Sequence, residues 1–197
     1  MSHGGIFLDR DGTINEEVDY VSLPDDLQLI PGSGDAIRQA NELGFKVVVI
    51  TNQSGIARGL FTEDDLAKVH HALTIKLQQH NAHIDAIYYC PHHPEFGNDQ
   101  YKIDCDCRKP NTGMILRGAQ KFNLDLKKSF VIGDRMIDMQ TGNTVGATTI
   151  LVLTGYGKGE LGLCRSSNAR IDYIAEDLLD AVQFIKRMMQ KEELSIS

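Results

Sequence analysis

Short apolar runs alternate along the chain with stretches in which apolar residues recur every three or four positions. The runs are rich in β-branched side chains and are too short to be buried helices, so they predict strands. The predicted strands cover 5–8, 45–50, 84–89, 130–132 and 148–153.

The longer periodic stretches between these runs predict helices. One spans 33–43 and stops at Gly44, and a second begins at Thr62, where Asp65 stands three residues later as in a capping box. Further helices are predicted at 114–122 and 176–190. Strands that alternate with helices indicate an α/β fold, here a three-layer sandwich around a mainly parallel, Rossmann-like sheet.

Three polar residues follow three different predicted strands. Asp9 follows the first strand, Thr51 the second, and Asp134 lies just after the strand at 130–132. Ligands of open parallel sheets bind in the crevice at the carboxyl ends of the strands. We therefore expect these side chains to converge there.

Composition narrows the function classes. The chain has 197 residues, 42% of them hydrophobic, which fits a single domain over 1–197. The net charge of −7 argues against a nucleic-acid binder, because phosphate backbones favour a basic surface. The apolar runs are too short to cross a membrane, and no secretory signal is evident at the start, so we expect a cytoplasmic protein.

The segment Asp9-Arg10-Asp11-Gly12-Thr13 places two carboxylates directly after a predicted strand. One carboxylate can attack phosphorus and form an acyl phosphate, while the second protonates the leaving oxygen and later deprotonates water. Mg²⁺ would hold the first carboxylate beside the phosphate that otherwise repels it. The alternative is a turn with two solvated acids.

Three of the four cysteines cluster within 90–107, beside two histidines. Three thiolates and one imidazole form the closed tetrahedral set that structural Zn²⁺ prefers, so Cys90, Cys105 and Cys107 with either His92 or His93 predict a zinc loop at 90–110. Reduced, buried cysteines are the alternative. Cys164 lies outside the cluster and is interpreted as a packed or surface thiol.

These segments together resemble the four motifs of the haloacid dehalogenase superfamily of phosphatases. The matching residues, in order, are the DRDGT segment, Thr51, Lys109, and Gly133-Asp134 followed by Asp138. The resemblance implies that Asp9 is the nucleophile and Asp11 the acid/base. It also implies that Thr51 and Lys109 hold the phosphoryl group. The Mg²⁺ ligands it implies are Asp9, Asp134 and the backbone carbonyl of Asp11.

The runs TNQSGIARG (51–59), YYCPHHP (88–94) and CRKP (107–110) resemble a zinc-bearing branch of that superfamily. Its members hydrolyse small phosphate esters, among them D-glycero-D-manno-heptose 1,7-bisphosphate and histidinol phosphate. This resemblance makes His92 the zinc ligand and implies hydrolysis of the C7 phosphate of the heptose bisphosphate, with no large cap domain. The substrate-binding residues it implies are Glu17, Val18, Asp19, Tyr20, Asn52, Gln53, Ser54, Arg108 and Arg135, with Arg108 on the second phosphate.

Two other functions stay open at this point. One is a histidinol-phosphate phosphatase, and the other is a non-catalytic sugar-phosphate sensor on the same scaffold. The presence of Asp9, Asp11 and Lys109 argues against the sensor, since a binding protein needs no nucleophile. The expected partner is a small phosphorylated sugar, and we expect the protein to be a monomer.

Overall fold

The computed structural model describes residues 3–167 and 169–196. Within this range the side chains of 164–166 and 192–196 are outside the description. The interpretation of Cys164 as a packed or surface thiol therefore lies outside the described side chains.

Six strands form one sheet in the order β3-β2-β1-β4-β5-β6, and neighbouring strands run parallel. The strands are β1 (Gly5–Leu8), β2 (Lys46–Asn52), β3 (Ala86–Cys90), β4 (Phe130–Gly133), β5 (Thr148–Val152) and β6 (Tyr173–Ala175). The first five were predicted. The sixth has three residues, of which only Ala175 is buried, so it lacks an apolar run of its own.

Helices cover both faces of the sheet, which confirms the predicted three-layer sandwich. They are α1 (Ser33–Glu42), α2 (Glu63–Gln78), α3 (Gly113–Phe122), α4 (Met136–Val145), α5 (Gly157–Ser166) and α6 (Leu178–Ile196). Apolar residues of α1, α2 and α6 pack on one face against Ile6 and Leu8. On the other face α3 packs against Phe7 and Val48, and α4 against Leu151. Alternate residues of β1 thus point to opposite layers, as a doubly covered sheet requires.

Two helices were not predicted from the sequence, α4 and α5. The buried face of α4 includes the polar residues Asp138 and Thr141, so the apolar residues of this segment do not show a helical periodicity in the sequence. Helix α2 carries the predicted capping box: Thr62 accepts a bond from the Asp65 amide, and the Asp65 side chain accepts one from the Thr62 amide.

The connections over the carboxyl ends of the strands are loops. Between β1 and α1 the chain forms a short 3₁₀ turn at Pro24–Asp26 and two isolated bridges, which join Asn15 to Asp11 and to Leu29. In the part of the chain that the structure describes there is accordingly no large cap, as predicted. The described helices also lack an apolar span of the length that a lipid bilayer requires.

Candidate active site

The carboxyl ends of three neighbouring strands carry the reactive side chains. Asp9 follows the last residue of β1, Thr51 lies near the end of β2, and Asp134 follows β4. Because β1 lies between β2 and β4, Asp9 has the central position. The three side chains belong to buried residues, with Asp9 only 8% exposed.

Lys109 reaches this sheet edge from the loop before α3. Its ammonium lies 2.9 Å from Asp9 Oδ1 and 2.6 Å from Asp138 Oδ1. Its main chain is held by Asn52, whose amide donates to the Lys109 carbonyl (3.1 Å) and whose oxygen accepts from the Lys109 N–H (3.0 Å). Burial works to lower the pKa of Lys109, but the two carboxylates raise it above its usual value, so the ammonium stays charged.

Three carboxylates meet beside this ammonium: those of Asp9, Asp134 and Asp138. Burial raises the pKa of Asp9 to about 6 and that of Asp134 to about 8, and the neighbouring carboxylates add to both effects. Asp138 is already bonded, through Lys109 and the amide of Arg135. Asp134 Oδ1, by contrast, is buried and has no hydrogen-bond partner among the described residues. Asp9 and Asp134 therefore fit a hard divalent cation, which would satisfy the free oxygen and offset the crowded negative charge.

The carboxylate of Asp134 is closely surrounded by glycine backbone. A Cβ at Gly12, where φ is +74°, would lie 2.2 Å from Asp134 Oδ2, and one at Gly155 would come equally close. Glycine is required at both positions because a side chain would displace the carboxylate. The turn after β1 and the turn after β5 thus meet over Asp134.

Asp11 lies at the side of this group, in a part of the cleft that solvent reaches. Its carboxylate accepts hydrogen bonds from Arg10 Nε (3.0 Å) and Nη2 (2.9 Å), from Asn15 (2.9 Å) and from Gln53 (2.9 Å). Burial opposes ionisation, but Arg10 and the two amide donors keep the pKa of Asp11 below its usual value. The same Gln53 amide donates to Thr51 Oγ1 at 2.8 Å, which links the hydroxyl to Asp11.

A polar cleft of 180 Å³ opens above these residues. It contains the proposed nucleophile, the acid/base and most of the predicted substrate-binding residues. The residues that line it are Asp9, Asp11, Glu17, Asp19, Tyr20, Thr51, Asn52, Gln53, Ser54, Arg108, Arg135, Ile137 and Tyr156. Val18 is not among them; its side chain is exposed and lines a neighbouring groove with Tyr156.

Acidic and basic side chains face each other across the cleft. Burial, assisted by the charge of Asp11, raises the pKa of Glu17 to about 7, so this carboxyl is partly protonated near neutral pH. Arg108 donates to the carbonyl of His92 at 3.1 Å. Arg135 lies 3.9 Å from Glu160, and its side chain is 47% exposed. The two guanidinium groups are the cations available to a ligand group that lies away from Lys109.

The cysteine cluster lies in the loop that also carries Arg108 and Lys109. Its sulfurs are 3.5 Å (Cys90 to Cys105) and 3.2 Å (Cys105 to Cys107) apart, and His92 Nδ1 lies 3.4 Å from the Cys107 sulfur. A zinc ion with bonds of about 2.0–2.3 Å separates its tetrahedral ligands by roughly 3.5–3.8 Å. The group therefore has the donor set for zinc, at separations close to this range. His93 lies outside it and accepts from the Glu95 amide.

Ile137 and three polar residues of the site were not singled out from the sequence. Arg10 is fully buried and donates hydrogen bonds to Asp11, and Asn15 donates to the same carboxylate. Tyr156 forms part of the cleft wall. Arg10 lies within the DRDGT segment and Asn15 just after it, so both could have been suspected as its supports. Tyr156 follows β5, and no motif marks it.

The chain is similar to known phosphatases along nearly its whole length. A family model described as HAD-hydrolase-like matches residues 106–181. The D-glycero-beta-D-manno-heptose-1,7-bisphosphate 7-phosphatase of Haemophilus influenzae is 40% identical over 93% of this chain and 97% of its own length. The protein of the same name from Pasteurella multocida is 41% identical over 92% and 96%.

Solved structures point the same way. The D,D-heptose 1,7-bisphosphate phosphatase of B. bronchiseptica, complexed with magnesium and phosphate, is 34% identical with a TM-score of 0.84 and covers 94% of this chain and 99% of its own. The D,D-heptose 1,7-bisphosphate phosphatase of Burkholderia thailandensis is 32% identical, with a TM-score of 0.69 over 92% and 97%. These matches extend over the sheet, the cleft and the cysteine loop alike.

Proposed function

The chain belongs to the haloacid dehalogenase-like phosphatases, and we propose that it removes the C7 phosphate of D-glycero-β-D-manno-heptose 1,7-bisphosphate. The observation that supports this proposal is that two separate groups of cations lie at one cleft. Asp9 lies at its floor, paired with the buried Lys109 at 2.9 Å, and Arg108 and Arg135 lie in its wall. One phosphate can react at the floor while the second is bound at the wall.

The first step is attack of an Asp9 carboxylate oxygen on phosphorus. A bond forms between that oxygen and phosphorus, the bond from phosphorus to the C7 oxygen breaks, and Asp11 gives its proton to the departing oxygen. The Thr51 hydroxyl and the Lys109 ammonium hold the phosphoryl oxygens. Mg²⁺, held by Asp9, Asp134 and the backbone carbonyl of Asp11, would neutralise charge on the phosphoryl group.

The second step returns Asp9 to its starting form. Asp11, now a carboxylate, takes a proton from water, whose oxygen attacks phosphorus. The bond between phosphorus and the Asp9 oxygen breaks, which releases inorganic phosphate and the Asp9 carboxylate. The four hydrogen bonds to Asp11 suit this step, since they stabilise the carboxylate. The first step needs a protonated Asp11, which the charge of Arg10 disfavours.

We propose that Cys90, His92, Cys105 and Cys107 hold a structural zinc ion. The spacing of these four ligand atoms supports it, and so does their position in the chain, because Arg108 and Lys109 follow Cys107 directly. The ion would fix the loop that presents both cations. Cys105→Ser should lower zinc content and the melting temperature together, because structural zinc contributes to folding. Protein purified without chelators that contains no zinc would contradict the assignment.

The substrate is tested by product analysis. Purified enzyme is offered the β and α anomers of the heptose bisphosphate and, separately, histidinol phosphate, and released phosphate and the remaining sugar phosphate are identified. We expect the β anomer to give the highest kcat/KM and the 1-phosphate as product. Preference for histidinol phosphate would replace this proposal with that phosphatase activity, and no turnover of any ester would favour a sensor.

A further inference from the structure

The segment that follows β5 touches three parts of the active site. Thr154 Oγ1 donates to the carbonyl of Gly12 at 2.6 Å, and the backbone N–H of Tyr156 donates to Asp134 Oδ2 at 2.8 Å. Both bonds fix the backbone of the segment, and neither depends on the Tyr156 side chain. That side chain is 40% exposed and forms part of the cleft wall.

The Tyr156 side chain contacts two other residues that line the cleft. Its ring lies 4.9 Å from the guanidinium carbon of Arg135, in the range of a cation–π contact. Its hydroxyl donates to Asp19 Oδ1 at 3.2 Å, in the loop that contains Glu17 and Tyr20. One ring thus restrains both a cation and an acidic loop of the wall.

Arg135 depends on this ring for its direction. Its ion pair with Glu160 is long, at 3.9 Å, and nearly half of its side chain is exposed. A free arginine side chain loses rotamer entropy when it binds a phosphate, so an aromatic face that already restrains it lowers the cost of binding.

We propose that Tyr156 is a specificity-determining positioning residue, which aims Arg135 and anchors the Asp19 loop for the end of the substrate that does not react. The inference rests on the proposed function for the identity of that substrate. The chemistry at Asp9 is independent of the ring, because Asp134 is held by the Tyr156 backbone alone. Loss of the ring should therefore affect binding of a bisphosphate and leave the rate of the chemical step unchanged.

The experiment compares Tyr156→Phe and Tyr156→Leu with a matched control. Tyr173→Phe is that control, since Tyr173 also donates to a carboxylate at 3.2 Å but lies in β6, outside the cleft. Loss of a weak cation–π contact and a hydrogen bond should raise KM for the bisphosphate about tenfold in Tyr156→Leu and about threefold in Tyr156→Phe. The values of kcat, and KM for p-nitrophenyl phosphate, should stay within about twofold in both variants, because the contacts at the floor are retained.

Two further measurements separate positioning from general damage. In the double variant Tyr156→Leu/Arg135→Met, KM should rise by less than the product of the increases in the two single variants, since the two residues act together. Amide exchange at 16–20 should accelerate in Tyr156→Phe but not in Tyr173→Phe. Equal KM increases for both substrates, a fall in kcat, additive effects or unchanged exchange would each overturn the proposal. If the unaltered enzyme does not prefer the bisphosphate, the proposed function fails, and the exchange data still decide whether Tyr156 anchors the loop.

Discussion

The floor and the wall of the cleft are both rich in charge, but they hold it differently. At the floor the side chains of Lys109 and Asp138 are 1% exposed and lie 2.6 Å apart. In the wall Arg135 is 47% exposed and 3.9 Å from its carboxylate partner. Buried charges cannot rearrange without loss of a partner, whereas exposed ones are solvated in many positions. The fixed floor suits a reaction with one geometry, and the looser wall suits the recognition of a particular sugar.

This contrast has a consequence for substitutions. A change at the floor removes interactions that every substrate uses in the transition state, so its effect should be large and nearly independent of the substrate. A change in the wall removes contacts that only the correct substrate makes. Its effect should be smaller and selective.

The largest effect is expected for Asp9→Asn, which replaces the proposed nucleophile by a neutral amide of the same shape. We expect turnover to fall by more than about 10⁴-fold for every phosphate ester, as for other covalent catalysts that lose their nucleophile. Lys109 keeps Asp138 as a partner, so the fold should survive. Steady-state rates test the loss of turnover, and circular dichroism tests whether the fold is retained.

The control is Asp35→Asn, which alters an exposed carboxylate on α1 that pairs with Arg38 at 3.4 Å. It should leave turnover unchanged, since exposed pairs contribute little. Turnover near the normal rate in purified Asp9→Asn would exclude the covalent mechanism.

The next effect is that of Asp11→Asn. The substitution removes the proposed proton donor of the first step and the proposed base of the second. General acid–base catalysis contributes on the order of 10²–10⁴-fold to the rate. We expect p-nitrophenyl phosphate, which has a good leaving group, to suffer less than a sugar phosphate, because its departure needs less protonation. Equal losses with the two esters would show that Asp11 has no role as an acid.

The sequence predicted the two regions in different ways, the floor from strand ends and most of the wall from the family resemblance. Asp9, Thr51 and Asp134 were placed together because each follows a predicted strand, and parallel strands end at one edge. Two features could not be predicted because hydrophobic periodicity carries no information about them. These are the order of the strands in the sheet and the hydrogen bonds from Arg10 to Asp11. Tyr156 was missed because an exposed loop residue leaves no pattern, although the structure brings it against Asp19.

Arg108→Ala tests the wall. We expect KM for the heptose bisphosphate to rise about ten- to a hundredfold, since a charge-assisted phosphate contact contributes roughly 1.5–3 kcal/mol. Activity towards histidinol phosphate, which has one phosphate, should change much less. Both kinetic constants are measured for each substrate.

A matched arginine lies outside the cleft. Arg117 pairs with the exposed Asp106 at 3.1 Å on the far side of the same loop. Arg117→Ala should leave both substrates unaffected, which separates loss of a specific contact from loss of a positive charge. Equal weakening of both substrates in Arg108→Ala would remove its role in binding the second phosphate.

The smallest effect is a change in stability with pH, and it comes from the floor. Because the pKa of Asp9 is raised to about 6 and that of Asp134 to about 8, the folded protein without magnesium favours the protonated carboxyls. Their contribution to stability is complete below about pH 4, the usual pKa of aspartate. It is lost as pH rises through 6 and then 8. In magnesium-free buffer, the melting temperature of the protein should therefore fall relative to that of Asp134→Asn between pH 5.5 and pH 8.5.

Added magnesium should reverse this trend, since a cation that binds the carboxylates stabilises the folded state most at high pH. One kcal/mol shifts the melting temperature of a chain of this size by about 2–4 °C, so scanning calorimetry can resolve the difference. In the wall, Glu17 also has a raised pKa, of about 7, and its titration also changes stability. Because Asp134→Asn keeps Glu17, this contribution cancels when the two melting temperatures are compared. A gap between the two proteins that stays constant with pH would mean that Asp134 is already ionised in the magnesium-free protein. The floor would then accommodate its charges without a metal ion, and its geometry would not depend on one.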